Sequence, residues 1–89
     1  MQRFNLGRVV ATPGALDELG RLGVNPLEII GRHVTLDPGV LDADDREAND
    51  RAVDADLRVF SAYVYGDTKF YCITEADRSS TCILLPNEY

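Results

Sequence analysis

The nine residues from Ile73 to Thr81, ITEADRSST, bring together a glutamate, an aspartate, an arginine, two serines and two threonines. Side chains of these types can build an acid–base centre, in which a serine hydroxyl attacks once a neighbouring base takes its proton. The candidates are Glu75, Asp77 and Ser79, with His33, the single histidine, contributed from elsewhere in the chain. The same stretch also has the chemistry of a turn, because Asp and Ser side chains accept hydrogen bonds from backbone amides just ahead of them. No spacing brings His33 towards Ser79 or Ser80, and Glu75 has a competing partner in Arg58. The turn is therefore the leading expectation, and a small enzyme built on Glu75, Asp77, Ser79 and His33 the alternative.

Metal chemistry finds little support. Cys72 and Cys82 form no CxxC pair, and with one histidine they are a poor zinc set. The acidic run 42–56 fails as a calcium loop, since Glu47 stands where the loop needs glycine. No cofactor is expected. That run nonetheless dominates the electrostatics: the net charge is −6, and Asp42, Asp44, Asp45, Glu47, Asp50, Asp54 and Asp56 against Arg46 and Arg51 account for −5 of it. With Lys69 the single lysine, direct nucleic-acid binding is disfavoured, because affinity for phosphate backbones comes from clustered Lys and Arg. A solvated helix face is the plain reading of the run; the functional one is recognition of a basic protein, including mimicry of a nucleic-acid backbone, with Asp44, Glu47 and Asp54 as candidate contacts.

Eighty-nine residues make one small domain with little stability to spare. Apolar runs such as CILL (82–85) fall far short of the roughly 20 residues of a membrane span, and the N-terminus lacks a secretory apolar stretch. A cytoplasmic protein with reduced thiols and no membrane partner is expected.

These groups must be held by a β-α-α-α-β-β-β order. RFNLGRVVA (3–11) reads as a strand with a bulge at Gly7 that puts Phe4, Leu6, Val9 and Ala11 on one face. Thr12-Pro13 and Asn25-Pro26 are helix starts. Ala15, Leu16, Leu19 and Leu22 form the first apolar stripe, with Gly23 as its stop, and Leu27, Ile30 and Val34 form the second. His33, near that helix's C-terminus, suits the dipole there. LDPGV (36–40) predicts a type II turn centred on Pro38-Gly39. Asp42 then caps a third helix that turns Leu41, Ala48, Ala52 and Ala55 inward and pairs Asp42 with Arg46 and Glu47 with Arg51.

Strands follow near 57–65, 68–75 and 80–85. A Gly66-Asp67 loop pairs Tyr63 with Phe70, Ala62 with Tyr71 and Arg58 with Glu75. An Asp77-Arg78 turn places Cys72 and Cys82 on opposite faces. One face then carries Val59, Tyr63, Tyr65, Phe70, Cys72, Ile83 and Leu85, and the other Phe60, Ala62, Val64, Tyr71, Ile73, Cys82 and Leu84. Both are apolar. Either helices, loops and the C-terminal tail cover both faces, or one face docks a partner or a second copy of the chain. Tyr63, Tyr65 and Phe70 are the expected docking residues, because tyrosine is favoured at interfaces and Ala62 suits a close helix on the opposite side.

The segments GRVVATPGALDEL, ADDREANDRAV, SAY and ITEADRSSTCILLPNEY together resemble short bacterial proteins of plasmids and integrative conjugative elements, loosely labelled plasmid-related or restriction-associated. The restriction label conflicts with the chain itself, since a methyltransferase needs a much larger cofactor-binding domain and a glycine-rich loop after a strand. The resemblance implies a mobile-element origin and carries over no functional residues. The expected fold is α+β, a mainly antiparallel sheet with short helices on one face. The expected function is a non-enzymatic acidic binding or accessory protein, a homodimer in one version, that acts through protein contacts in host-defence or regulatory interference.

Overall fold

The computed structural model describes residues 2–89 except Pro38, Leu41, Asp42 and the side chains of Ala43 and Asp45. Strand β1 (Arg8–Ala11) leads into helices α1 (Pro13–Leu22), α2 (Pro26–Val34) and α3 (Ala43–Ala55). Strands β2 (Val59–Tyr65), β3 (Thr68–Thr74) and β4 (Ser80–Leu84) follow, and a 3₁₀ turn over Pro86–Glu88 closes the chain. The four strands form one sheet in the order β1-β4-β3-β2, antiparallel except where β1 runs parallel to β4. The fold is α+β.

Local chemistry sets the helix ends. The Thr12 hydroxyl accepts from the Ala15 amide at 3.2 Å and the Asn25 side chain from the Leu27 amide at 2.9 Å, each directly before a proline in the first turn. Gly23 stops α1 at φ +68° and donates back to Gly20. Helix rotation departs from the sequence expectation. Ala15 and Leu19 face the core while Leu16 stands largely in solvent; in α2 the inner side is Ile29, Ile30 and His33, and Leu27 is exposed. Short helices take their rotation from the surface they pack on, and here that surface is the Tyr63, Phe70, Cys72 and Ile83 face of the sheet.

The hairpins keep the expected register: Tyr63 opposite Phe70, Ala62 opposite Tyr71, and Cys72 opposite Ile83. Arg58 and Glu75 meet at 3.3 Å beyond the last pair. The first strand is shorter than expected, because only Arg8–Ala11 enters the ladder. Residues 2–7 instead pass beneath α2 and α3, with Phe4 buried beside Ala52 and Val59. Gly7 makes this crossing possible at φ +64°, where a Cβ would stand 2.3 Å from the Arg78 carbonyl oxygen. Val9, expected inside, is 47% exposed because β1 is an edge strand.

The other edge, β2, is covered. Gly39 bridges to Ala62, and the Val40 amide donates to the Ala62 carbonyl at 2.9 Å. Gly39 has φ +70°, as the second centre of a type II turn needs, and a Cβ there would overlap the Ala62 carbonyl; Pro38 lies outside the described residues. Two residues further along β2, the Asn49 amide group donates to the Phe60 carbonyl at 2.5 Å while its oxygen accepts from the Phe60 amide at 3.0 Å. One side chain thus replaces a neighbouring strand. Helix α3 was expected to turn Ala48, Ala52 and Ala55 inward; Asn49 and Ala52 are the buried pair, and Ala48 and Ala55 are exposed. Leu41 and the Asp42 cap, with its Arg46 pair, lie outside the described residues. No helix among the described residues is long and apolar enough to cross a membrane.

Replacing Asn49 with alanine should destabilise the domain by about 1–3 kcal/mol, because both Phe60 backbone groups lose their partner where α3 excludes water. Urea unfolding followed by circular dichroism measures this. A change below about 0.5 kcal/mol would mean that the two bonds contribute little.

Candidate functional site

The face expected to dock a partner is the core. Tyr63 and Phe70 are completely buried beneath Ala15, Leu19, Ile29 and Ile30, so they are corrected from interface to interior. Tyr63 also spends its hydroxyl internally, on the Asp37 carbonyl at 2.5 Å, and the Arg32 guanidinium covers its ring at 4.3 Å. Burial holds the Tyr63 phenol well above its ordinary pKa. Tyr65 is half-buried at the rim, with its ring 6.2 Å from that of Phe70 and its hydroxyl accepting from Arg32 at 3.3 Å. Ala15 and Leu19 of α1 and Ile29 and Ile30 of α2 form one buried cluster with this face, so two short helices suffice to roof it.

The segment 73–81 comprises the end of β3, a turn over residues 75–79 and the start of β4. The Ser79 amide donates to Asp77 at 3.0 Å, and the Arg78 amide to the Glu75 carbonyl at 2.9 Å. The Ser79 hydrogen bonds hold the exposed Asp77 carboxyl below its ordinary pKa. Arg78 takes the left-handed conformation at φ 60° and aims its guanidinium back under the turn. There it donates to the carbonyls of Ala52, Leu57, Glu75 and Ala76 at 2.7–3.2 Å, joining the turn to the end of α3. These are structural bonds, and the sequence offered only an arginine in a polar run as their sign.

Both ring nitrogens of His33 bond elsewhere than to Glu75, Asp77 or Ser79. Its ring is completely buried, with Nδ1 2.8 Å from Ser61 Oγ and Nε2 2.8 Å from Thr74 Oγ1. Thr74 Oγ1 lies 2.7 Å from Thr81 Oγ1, which donates to the Leu6 carbonyl at 2.7 Å. That carbonyl can only accept, and the constraint propagates: Thr81 donates to it, Thr74 donates to Thr81, His33 Nε2–H donates to Thr74, and Ser61 donates to Nδ1. The ring is thereby the neutral Nε2–H tautomer. Burial pushes its pKa down to about 4, so the expected charge at the α2 C-terminus is absent. A serine beside an imidazole has the composition of a nucleophile and base, but both groups are sealed in the interior.

Asp44, Glu47 and Asp54 are exposed as expected, joined by Asp50. Their spacing spreads the four over about 120° of the α3 surface turned away from Asn49 and Ala52, along about 15 Å of helix. Glu47 meets Arg51 at 3.8 Å, a loose, solvent-screened pair. On the outer face of the sheet, Tyr89 folds back so that its ring centroid lies 5.9 Å from that of Tyr71 and 6.4 Å from that of Phe60. Ile73 and Leu84 are buried there, while Val64 and Val10 remain open. Among the described residues no three His, Cys, Asp or Glu side chains converge as metal ligands, and both cysteines are free thiols on opposite faces. Burial raises the pKa of both thiols, most strongly for Cys72.

Comparison with protein-family models, curated proteins and solved structures finds no match.

The buried imidazole carries a pH signature. Unfolded His33 takes up a proton below about pH 6.5, whereas folded His33 resists until about pH 4. Its contribution to stability is therefore whole above 6.5 and is lost as the pH falls towards 4. Between pH 7 and 5, urea unfolding should show a loss of about 2 kcal/mol, and His33→Gln should flatten that slope. An equal slope in the variant would show that His33 does not titrate this way.

Proposed function

We propose that this chain is a non-enzymatic binding or accessory protein that engages a basic protein surface through the outer side of α3. The observation that carries the reading is the geometry of that helix. Asn49 and Ala52 anchor one side to the sheet, and Asp44, Glu47, Asp50 and Asp54 occupy the exposed remainder, with the cation Arg51 among them. Carboxylates spaced over about three turns of one helix attract a basic surface and orient it. Affinity and on-rate should then depend on salt.

Further support for a binding role comes from the groups otherwise able to do chemistry: Ser61 and His33 are sealed, and the 73–81 turn uses Arg78 and Asp77 on its own backbone. Taken with the resemblance to plasmid and conjugative-element proteins, the proposed partner is a cytoplasmic host protein of a defence or regulatory complex, and the acidic face would imitate the nucleic-acid backbone that the partner's basic surface binds.

The quadruple variant Asp44→Asn, Glu47→Gln, Asp50→Asn and Asp54→Asn should keep its urea midpoint, because all four side chains are exposed. Immobilised wild-type protein should retain bacterial proteins that elute with about 0.5 M salt, when the Debye length is only a few ångströms. The variant should retain none of them. Equal recovery on both columns would remove α3 as the contact surface.

A further inference from the structure

The outer edge of β1 is open, and its geometry is complementary to itself. The Arg8 amide donates to Ser79 and the Thr12 amide to Ile83, so the inward phase of the ladder falls on residues 8, 10 and 12. Val9 and Ala11 therefore direct their amides and carbonyls away from the sheet, where no backbone partner receives them among the described residues. The covering that protects β2 has no counterpart here. Val9 is 47% and Val10 38% exposed. Glu18 and Arg21, on one flank of α1, are tied to Thr68 and Asp67 of the β2–β3 hairpin, which leaves the exposed Leu16 on the flank above β1.

We propose that β1 pairs antiparallel with β1 of a second copy, giving a two-fold dimer with one continuous eight-stranded sheet. Parity selects the register. Only odd residues offer outward groups, Gly7 leaves the strand at φ +64°, and Pro13 has no amide, so the pairing that satisfies most groups sets Val9 against Ala11 of the second copy, and the reverse. It makes four backbone hydrogen bonds and puts the two Val10 side chains together on the axis in a closely spaced, non-hydrogen-bonded pair.

Charge agrees with this register. Arg8 falls opposite Thr12 of the second copy. In this chain Thr12 donates its hydroxyl to the Glu88 carboxylate at 2.5 Å, and Arg8 has no salt bridge among the described residues. Each Arg8 therefore meets a carboxylate, twice per dimer, and the two Arg8 side chains stay apart. The contact is independent of α3, whose acidic face belongs to the opposite edge of the sheet. A four-residue edge makes a small interface, so the dimer should be concentration-dependent.

Sedimentation velocity under reducing conditions, from about 5 to 500 μM, tests the proposal. The mass should rise from 9.8 kDa towards twice that value. At the high end the Val9 and Ala11 amides should exchange with deuterium at least tenfold more slowly than at the low end. Val9→Pro removes an outward amide that β4 does not use, and Val10→Lys sets two ammonium groups on the axis; both should remain monomeric throughout, with wild-type circular dichroism. Should the proline unfold the chain, the lysine variant and the amide exchange decide. A wild-type chain that stays at 9.8 kDa across the range, or a dimer that survives Val10→Lys with unprotected Val9 and Ala11 amides, overturns the pairing.

Discussion

A single directional chain of hydrogen bonds runs beneath the helices from Ser61 through His33, Thr74 and Thr81 to the Leu6 carbonyl, and it joins β2, α2, β3, β4 and the N-terminal segment. Thr74 and Thr81 each accept one hydrogen bond and donate another, while Ser61 donates at the head of the chain. Breaking any link leaves a buried polar group unpaired, at a cost of about 1–3 kcal/mol. The chain therefore selects one arrangement of the elements among those that hydrophobic burial alone would allow. It acts with the apolar sheet face on the rotation of α2: His33 is held inward on the side that carries Ile29 and Ile30 into the core, and Leu27 is left outside. It also draws residues 2–7 across the sheet instead of letting them extend β1.

Once that face is closed, the remainder of the molecule is arranged around backbone groups that the sheet leaves over. Side chains satisfy many of them. Asn49 serves both Phe60 groups at the β2 edge, Arg78 collects four carbonyls between the β3–β4 turn and the end of α3, and Glu88 accepts from Thr12 and the Leu85 amide where α1 begins. The hydrogen bonds to Thr12 and Leu85 hold the exposed Glu88 carboxyl below its ordinary pKa. These three residues close the structure at three corners with no additional apolar surface. The edge of β1 lacks such a device, which is why it stands out as the place where another backbone fits.

The division of labour between the two faces explains why the tyrosine-bearing surface proved to be interior. Tyrosine suits an interface only when its ring can remain partly wet. Here Arg32 roofs the Tyr63 ring and Asp37 takes its hydroxyl, so a residue type associated with docking was absorbed by the core. Phe60, Tyr71 and Tyr89 meet instead on the outer face, where the chain's own terminus supplies part of the cover.

Much of the fold was legible in the chain because it depends on neighbours in sequence. Thr12-Pro13, Asn25-Pro26, Gly23, Gly66-Asp67 and Asp77-Arg78 act over a few residues, so they determine element order, hairpin register and the opposite facing of Cys72 and Cys82 without knowledge of the rest. The acidic face of α3 was equally visible, as charges that stay in water need no partner to specify them. What only the tertiary structure decided were the long-range matches: which apolar face the helices cover, how α1 and α2 rotate on it, and which polar groups His33, Asn49, Arg78 and Glu88 find. Those choices depend on donors and acceptors far apart in the chain, and burial makes each pairing matter only after the elements have come together.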